Sequence, residues 1–261
     1  MDFLDIKGKH YLVFGVANKK SVAYFIAKTL IQEGATITFS VQNEDTKQKI
    51  AKLFPESPAY ICNVEQENEV IKLKNSIDDN KIFDGIVHSI AYANYSNGLV
   101  PFHETLKDDF LQAINISCFS LVTISNVFKD NIAKNGSVIT ISISTTRMAS
   151  ENYGYMAPIK AALESTLCFL AKSFSKFSNI RFNAVSAGLL KTSASAGIPG
   201  YINSYIFAEK ATLRHKAITT QEVANTVLFL LSPCSSGINA QKIVVDAGME
   251  VNYFDKEIIS S

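Results

Sequence analysis

The sequence predicts an α/β fold, a doubly wound sheet of seven parallel strands covered by helices on both faces. Two observations predict it. Short β-rich runs alternate with helix-length amphipathic stretches from one end of the chain to the other. Strict alternation requires crossover connections, and right-handed crossovers give a parallel sheet buried on both sides. The second observation is continuity: no tract rich in Pro, Gly or Ser, no low-complexity run and no internal repeat divides the chain. Of its 261 residues 47% are hydrophobic, so residues 1–261 read as one domain with ample material for a core.

The elements follow in order. Strand candidates are HYLVF (10–14), ATITFS (35–40), AYIC (59–62), GIVHSI (85–90), SVITIS (137–142), IRFNAVS (180–186) and KIVVD (242–246). Helix patterns lie between them at 21–34, 45–54, 67–77, 105–129, 154–174 and 220–231. This is the order of a Rossmann-type domain. One long segment, 188–216, has no clear periodicity. It follows the sixth strand, at the carboxyl ends where ligands bind in open α/β sheets, and reads as a substrate lid.

Composition narrows the function classes. A formal net charge of +1 argues against nucleic-acid or polybasic membrane partners, which need a concentrated positive field. MDFLDIKGKHYLVFG lacks the apolar stretch of a signal peptide, and no segment reaches the roughly 18 uninterrupted apolar residues of a membrane span, so a cytoplasmic location is expected. Cys62, Cys118, Cys168 and Cys234 lie far apart, each in or beside an apolar segment, and read as buried reduced thiols. No His/Cys cluster suggests a metal site.

After the first strand comes GVANKKSVA. Gly15 permits a tight turn, Ser21 can cap the first helix, Val22 beside it is a further cofactor contact, and Ala23 is small enough for close backbone approach. Backbone amides at such a turn, with the positive helix end, form a pyrophosphate cradle, although one glycine after a strand also suits an ordinary βα turn. The second strand ends FSVQNE, where an adenosine ribose is met in such folds. Gln42 is neutral and Glu44 repels a phosphate, which favours NADH over NADPH. Lys19 and Lys20 point the other way, toward a 2′-phosphate, or are a solvated pair.

NYGYMAPIKAALE (152–164) sets Tyr153 and Tyr155 ahead of Lys160. With GVANKKSVAYFIAKTL, FSVQNE, DGIVHSIAYAN, IRFNAVSAGLLKTSASAGI and SSGINAQKIVVDAG, it is similar, in order and across almost the whole chain, to bacterial enoyl-acyl-carrier-protein reductases. These are a divergent branch of the short-chain dehydrogenase/reductase family. Their Tyr-x6-Lys pattern selects Tyr153 and Lys160, whereas the Tyr-x3-Lys spacing of ordinary members falls on Met156. Tyr155 is left as a packing or lid contact.

The resemblance implies hydride transfer from NADH to the β-carbon of an enoyl thioester on acyl carrier protein, in fatty-acid synthesis, by a homotetramer. It implies that Tyr153 stabilises the enolate oxygen and that Lys160 binds the nicotinamide ribose. Seven helical residues rise about 10 Å, so Lys160 cannot hand Tyr153 a proton but can charge the space between them. By the same resemblance Ser89, Ile90 and Ala91 border the cofactor, and Leu190 meets the carboxamide through its backbone. Thr192 bonds the pyrophosphate, and Asn63 and Val64 hold the adenine. Tyr92, Ala93, Met156, Ala194, Ile198 and Tyr201 line the acyl pocket with Tyr153.

Some residues depart from the family pattern. Ile143 stands where the family usually carries another tyrosine, and Leu189 replaces a proline under the nicotinamide. Ser142 or Ser144 and Asn115 match residues of ordinary dehydrogenases, which keeps open a same-fold reductase of a carbonyl. A non-enzymatic cofactor-binding paralogue is the third reading. Pro158 costs about 3 kcal/mol inside a helix and almost nothing in its first turn, which predicts a helix beginning close to Pro158.

Overall fold

The computed structural model describes residues 3–96, 98–150, 154–192, 194, 195, 198 and 200–259. Its seven strands are β1 (His10–Phe14), β2 (Thr36–Val41), β3 (Ala59–Ile61), β4 (Phe83–His88), β5 (Ile132–Ile143), β6 (Arg181–Ala187) and β7 (Lys242–Val245). They form one sheet ordered β3-β2-β1-β4-β5-β6-β7, and every neighbouring pair is parallel. The order reverses direction between β1 and β4, which opens a crevice at the carboxyl ends of these strands.

Two hydrophobic layers flank the sheet. On one face α1 (Val22–Gln32), α2 (Glu44–Leu53) and α8 (Thr220–Leu231) pack around Ile26, Leu30, Ile50 and Val227. On the other, α3 (Glu67–Ser76), α4 (Lys107–Ile114), α5 (Ser120–Val127) and α6 (Met156–Phe174) pack around Leu73, Leu121, Ile159 and Leu163. Both layers are needed because strands buried on two faces carry apolar side chains in both directions.

Three elements differ from the sequence reading. The helix expected over 105–129 is interrupted by a π-helical turn at Asn115–Phe119 between α4 and α5. The turn is fastened to the chain after β4: Ser117 Oγ accepts from Tyr92 N at 2.8 Å and donates to Tyr92 O at 3.0 Å. Together α4, the turn and α5 are long and apolar enough to cross a membrane, but Leu121 and Ile124 are fully buried in the core. Within 188–216, α7 (Tyr201–Ala211) is a regular helix. Its apolar residues lie on both sides, Tyr205 and Ala208 inward and Ile202 and Phe207 outward, so no stripe marks it in the sequence. Finally, only Cys62 and Cys118 are buried. Cys168 on α6 and Cys234 in a surface turn are exposed, and all four thiols are free.

Near its amino end, α6 begins at Met156 and places Pro158 in the first turn, where the missing N–H has no intrahelical acceptor.

Candidate active site

A cavity of about 560 Å³ opens at the carboxyl ends of the strands, within the range of small-molecule sites. It runs from the β2 and β3 ends, past β1 and β4, to β5, β6 and the chain leading into α7.

Gly15 makes the turn after β1. Its φ is +91°, and a Cβ there would lie 1.9 Å from Ser89 O, so only glycine lets this turn rest on the end of β4. Gly15, Ser21 and Val22 line the cavity. Ser21 is the N-cap of α1 but does not cap it: its Oγ donates to Asn18 O at 2.7 Å, and no acidic residue occupies the first turn. By contrast Asn43 caps α2 and Thr219 forms a capping box on α8. The first-turn amides of α1 therefore receive no capping side chain, and an anion suits them.

At the β2 and β3 ends, Gln42, Asn63 and Val64 line the same cavity. Asn63 Oδ1 accepts from Glu65 N at 3.2 Å, which fixes the side chain and leaves its amide N–H groups. Lys19 and Lys20 are exposed and do not line the cavity. Thr46, in the first turn of α2, lines it beside Gln42 and was not anticipated.

Ser89, Ile90, Ala91, Tyr92 and Ala93 follow β4 along the cavity wall. Opposite them, Lys160 is 3% exposed, and its ammonium donates to Ile141 O at 2.8 Å and Ile90 O at 3.0 Å. Two of its three N–H donors are used among the described residues, and Lys160 lines the cavity. Burial pulls its pKa down to about 8, opposed by Cys118 and Glu164. His88, fully buried beneath, is held neutral near 3 by burial and then by the Lys160 charge.

Tyr153 lies outside the described residues. Tyr155, the N-cap of α6, is buried against Tyr95 and Phe110 with ring centroids 5.5 and 5.7 Å away. Its hydroxyl donates to Asn94 O, and burial foremost raises its pKa to about 12. It is a packing residue with its proton committed.

After β6, Leu190, Thr192, Ala194, Ile198 and Tyr201 line the cavity, as does Met156 from α6. Here the structure alters the sequence reading. Tyr201 Oη accepts from Leu190 N at 3.0 Å and donates to Leu190 O at 2.8 Å. The backbone groups expected to meet a carboxamide are already bonded, so such a contact requires Tyr201 to withdraw. Ser195, also unanticipated, adds a hydroxyl to Leu190 O at 2.8 Å and accepts from Thr192 N at 2.9 Å. Lys191 Nζ lies 4.2 Å over the Tyr205 ring and ties this loop to α7.

Two of the residues suggestive of a carbonyl reductase, Ser142 and Asn115, are bonded elsewhere, whereas the buried Ser144 hydroxyl has no hydrogen-bond partner among the described residues. Ser142 Oγ donates to Glu164 at 2.8 Å, and Asn115 Nδ2 donates to Glu65 O at 3.2 Å. Ile143 and Leu189 line the cavity, whereas Ser144 and Asn115 do not.

Comparisons with known proteins agree with this geometry. Residues 15–250 match the family described as Enoyl-(Acyl carrier protein) reductase. The chain is 34% identical to the enoyl-[acyl-carrier-protein] reductase [NADPH] FabI of Staphylococcus aureus, over 94% of this chain and 98% of that one. It is 34% identical to the [NADH] enzyme of Nostoc sp., over 95% and 98% respectively. The crystal structure of the (NADH) enzyme from Aquifex aeolicus superimposes with a TM-score of 0.90 at 32% identity, covering 96% of this chain and 99% of that chain. From strand order to sequence, the chain belongs to the enoyl-acyl-carrier-protein reductase family.

Proposed function

We propose that this protein is an NADH-dependent enoyl-acyl-carrier-protein reductase of fatty-acid synthesis. The observation that carries the reading is Lys160, a desolvated ammonium on the cavity wall with one donor unspent among the described residues. The cavity fits a dinucleotide at two further points, the uncapped amino end of α1 and the Gly15 turn pressed on Ser89.

Bound NADH supplies a hydride for the β-carbon of the enoyl thioester. The chain's own residues bind, orient and stabilise charge. First-turn amides of α1 and the Thr192 hydroxyl hold the pyrophosphate, Gln42 the adenosine ribose, and Asn63 and Val64 the adenine. Lys160 bonds the nicotinamide ribose and lends its charge to the reacting region. The Tyr153 hydroxyl stabilises the enolate oxygen, an effect worth about 3–4 kcal/mol for one well-placed donor. Tyr155 cannot substitute, because its proton is given to Asn94 O.

NADH is favoured over NADPH because Lys160 is the only Lys or Arg lining the cavity among the described residues, far along the sheet from Gln42. Four free thiols suit the cytoplasm. Exposed Phe119 and Phe169, at 55% and 75%, suit burial between subunits of a homotetramer. The carbonyl-reducing alternative is weakened because Ser142 gives its one proton to Glu164 and Asn115 does not line the cavity.

The test follows NADH absorbance with an enoyl thioester of acyl carrier protein, then with a β-ketoacyl thioester. Turnover of the enoyl substrate is expected; turnover of the ketone alone contradicts the reading.

A further inference from the structure

Glu164 lies one helical turn beyond Lys160 on α6, with its side chain 12% exposed. One carboxylate oxygen accepts from Ser142 Oγ and Ser186 Oγ, each at 2.8 Å. Ser142 and Ser186 are register partners in the β5–β6 ladder, so this oxygen bridges two strands. The other oxygen accepts from Thr146 Oγ1 at 3.3 Å and meets Lys242 Nζ, on the edge strand β7, at 3.4 Å. Lys160 holds the carbonyl of Ile141 while Glu164 holds the hydroxyl of Ser142. Two residues one turn apart thus grip two successive residues of β5, both on the cavity wall.

Two consequences follow. A serine hydroxyl has one proton, and Ser142 gives it to Glu164 rather than to a ligand. A carboxylate four residues along a helix from a buried ammonium favours the ammonium's charged form.

We propose that Glu164 is a positioning residue of the reaction, fixing the end of β5 against Lys160 and keeping Lys160 charged for the cofactor ribose. The proposal rests on the reading of the cavity as an NADH site. Other titratable groups facing Lys160 are Cys118 from the π-helical turn and His88 from β4. Burial holds the Cys118 thiol above its ordinary range and His88 near 3, so both are uncharged between pH 6 and 8. Glu164 is then the anion acting on Lys160, and Lys242 is the second cation that Glu164 serves.

The experiment measures the NADH dissociation constant from about pH 6 to 9.5 for wild type, Glu164→Gln and Glu164→Asp, with melting temperatures on the same samples. Wild-type binding should weaken as pH rises through about 8, where Lys160 loses its proton. Glu164→Gln should bind within about twofold of wild type at pH 6, about fivefold more weakly at pH 8 and close to tenfold more weakly at pH 9, a displacement of roughly one pKa unit. Glu164→Asp keeps the charge and should restore the wild-type inflection even if it melts lower. A uniform loss at every pH, or an inflection that does not move in Glu164→Gln, overturns the proposal by leaving only a structural role. Wild-type protein that binds no NADH at any pH overturns the cofactor reading itself, and the proposal with it.

Discussion

Two cations are buried at opposite ends of the sheet, and among the described residues neither has a carboxylate as a hydrogen-bond partner. Arg181 opens β6 at the amino edge, 6% exposed. Its guanidinium donates to Ser235 O at 3.0 Å, Ser235 Oγ at 2.8 Å and Ser232 O at 3.1 Å, just past the carboxyl end of α8. There it satisfies carbonyls that a helix terminus leaves open and opposes the negative end of the helix dipole. Lys160 stands at the carboxyl edge, on a cavity wall, with a donor left over among the described residues. Burial lowers the pKa of both. What separates them is the outlet: a buried cation whose surroundings are all protein is structural, and one with a donor beside an open cavity can hold a ligand.

The largest expected effect lies on the cavity side. Tyr153→Phe should lower kcat by about 10²–10³, as loss of one oxyanion donor does, while NADH affinity survives. An unaltered kcat would mean that another group stabilises the enolate. On the amino-edge side, Arg181→Met should leave kcat near wild type but destabilise the fold by about 3 kcal/mol, since charge-assisted bonds vanish and buried carbonyls lose their partner. Urea melts measure this; a stability loss below about 1 kcal/mol would remove the structural role.

A smaller effect separates the two cations by pH. The pKa of Lys160 in the folded protein, about 8, lies below its ordinary 10.5, so the unfolded chain binds more protons between these values. Stability should therefore rise as pH increases from 8 toward 10.5, when the buried ammonium becomes neutral, while NADH affinity falls over the same rise. Chemical melts beside cofactor titrations would show opposite slopes. Parallel slopes would break the contrast, because the charge would then serve the fold rather than the ligand.

The doubly wound parallel sheet was legible because alternation of β and α leaves few topologies, and Gly15 and Gln42 could be found from their places at strand ends, whereas Lys160 and the residues after β4 and β6 were found through the family resemblance. Other features left no local trace. The π-helical turn at Asn115–Phe119 keeps the apolar pattern of a helix and is revealed only by Ser117 meeting Tyr92. The helix α7 is apolar on two sides, so its period is blurred. Glu164 looks in sequence like any helical carboxylate; its partners Ser142, Ser186 and Lys242 come from three strands brought together only by the sheet. Tyr201 looked like a pocket wall, and its bond to the Leu190 backbone depends on where α7 starts.

Lys160→Met tests the central contrast most directly, with NADH affinity and melting temperature read on one sample. The substitution removes a charge that burial disfavours, and it also takes a donor from the Ile90 and Ile141 carbonyls, so its two effects on the fold oppose each other. That contrast between the two cations predicts an NADH dissociation constant at least about tenfold higher at pH 7, corresponding to about 1.4 kcal/mol, with a melting temperature that falls less than in Arg181→Met. An unchanged affinity accompanied by a fall in melting temperature would contradict it, placing Lys160 beside Arg181 as a structural cation.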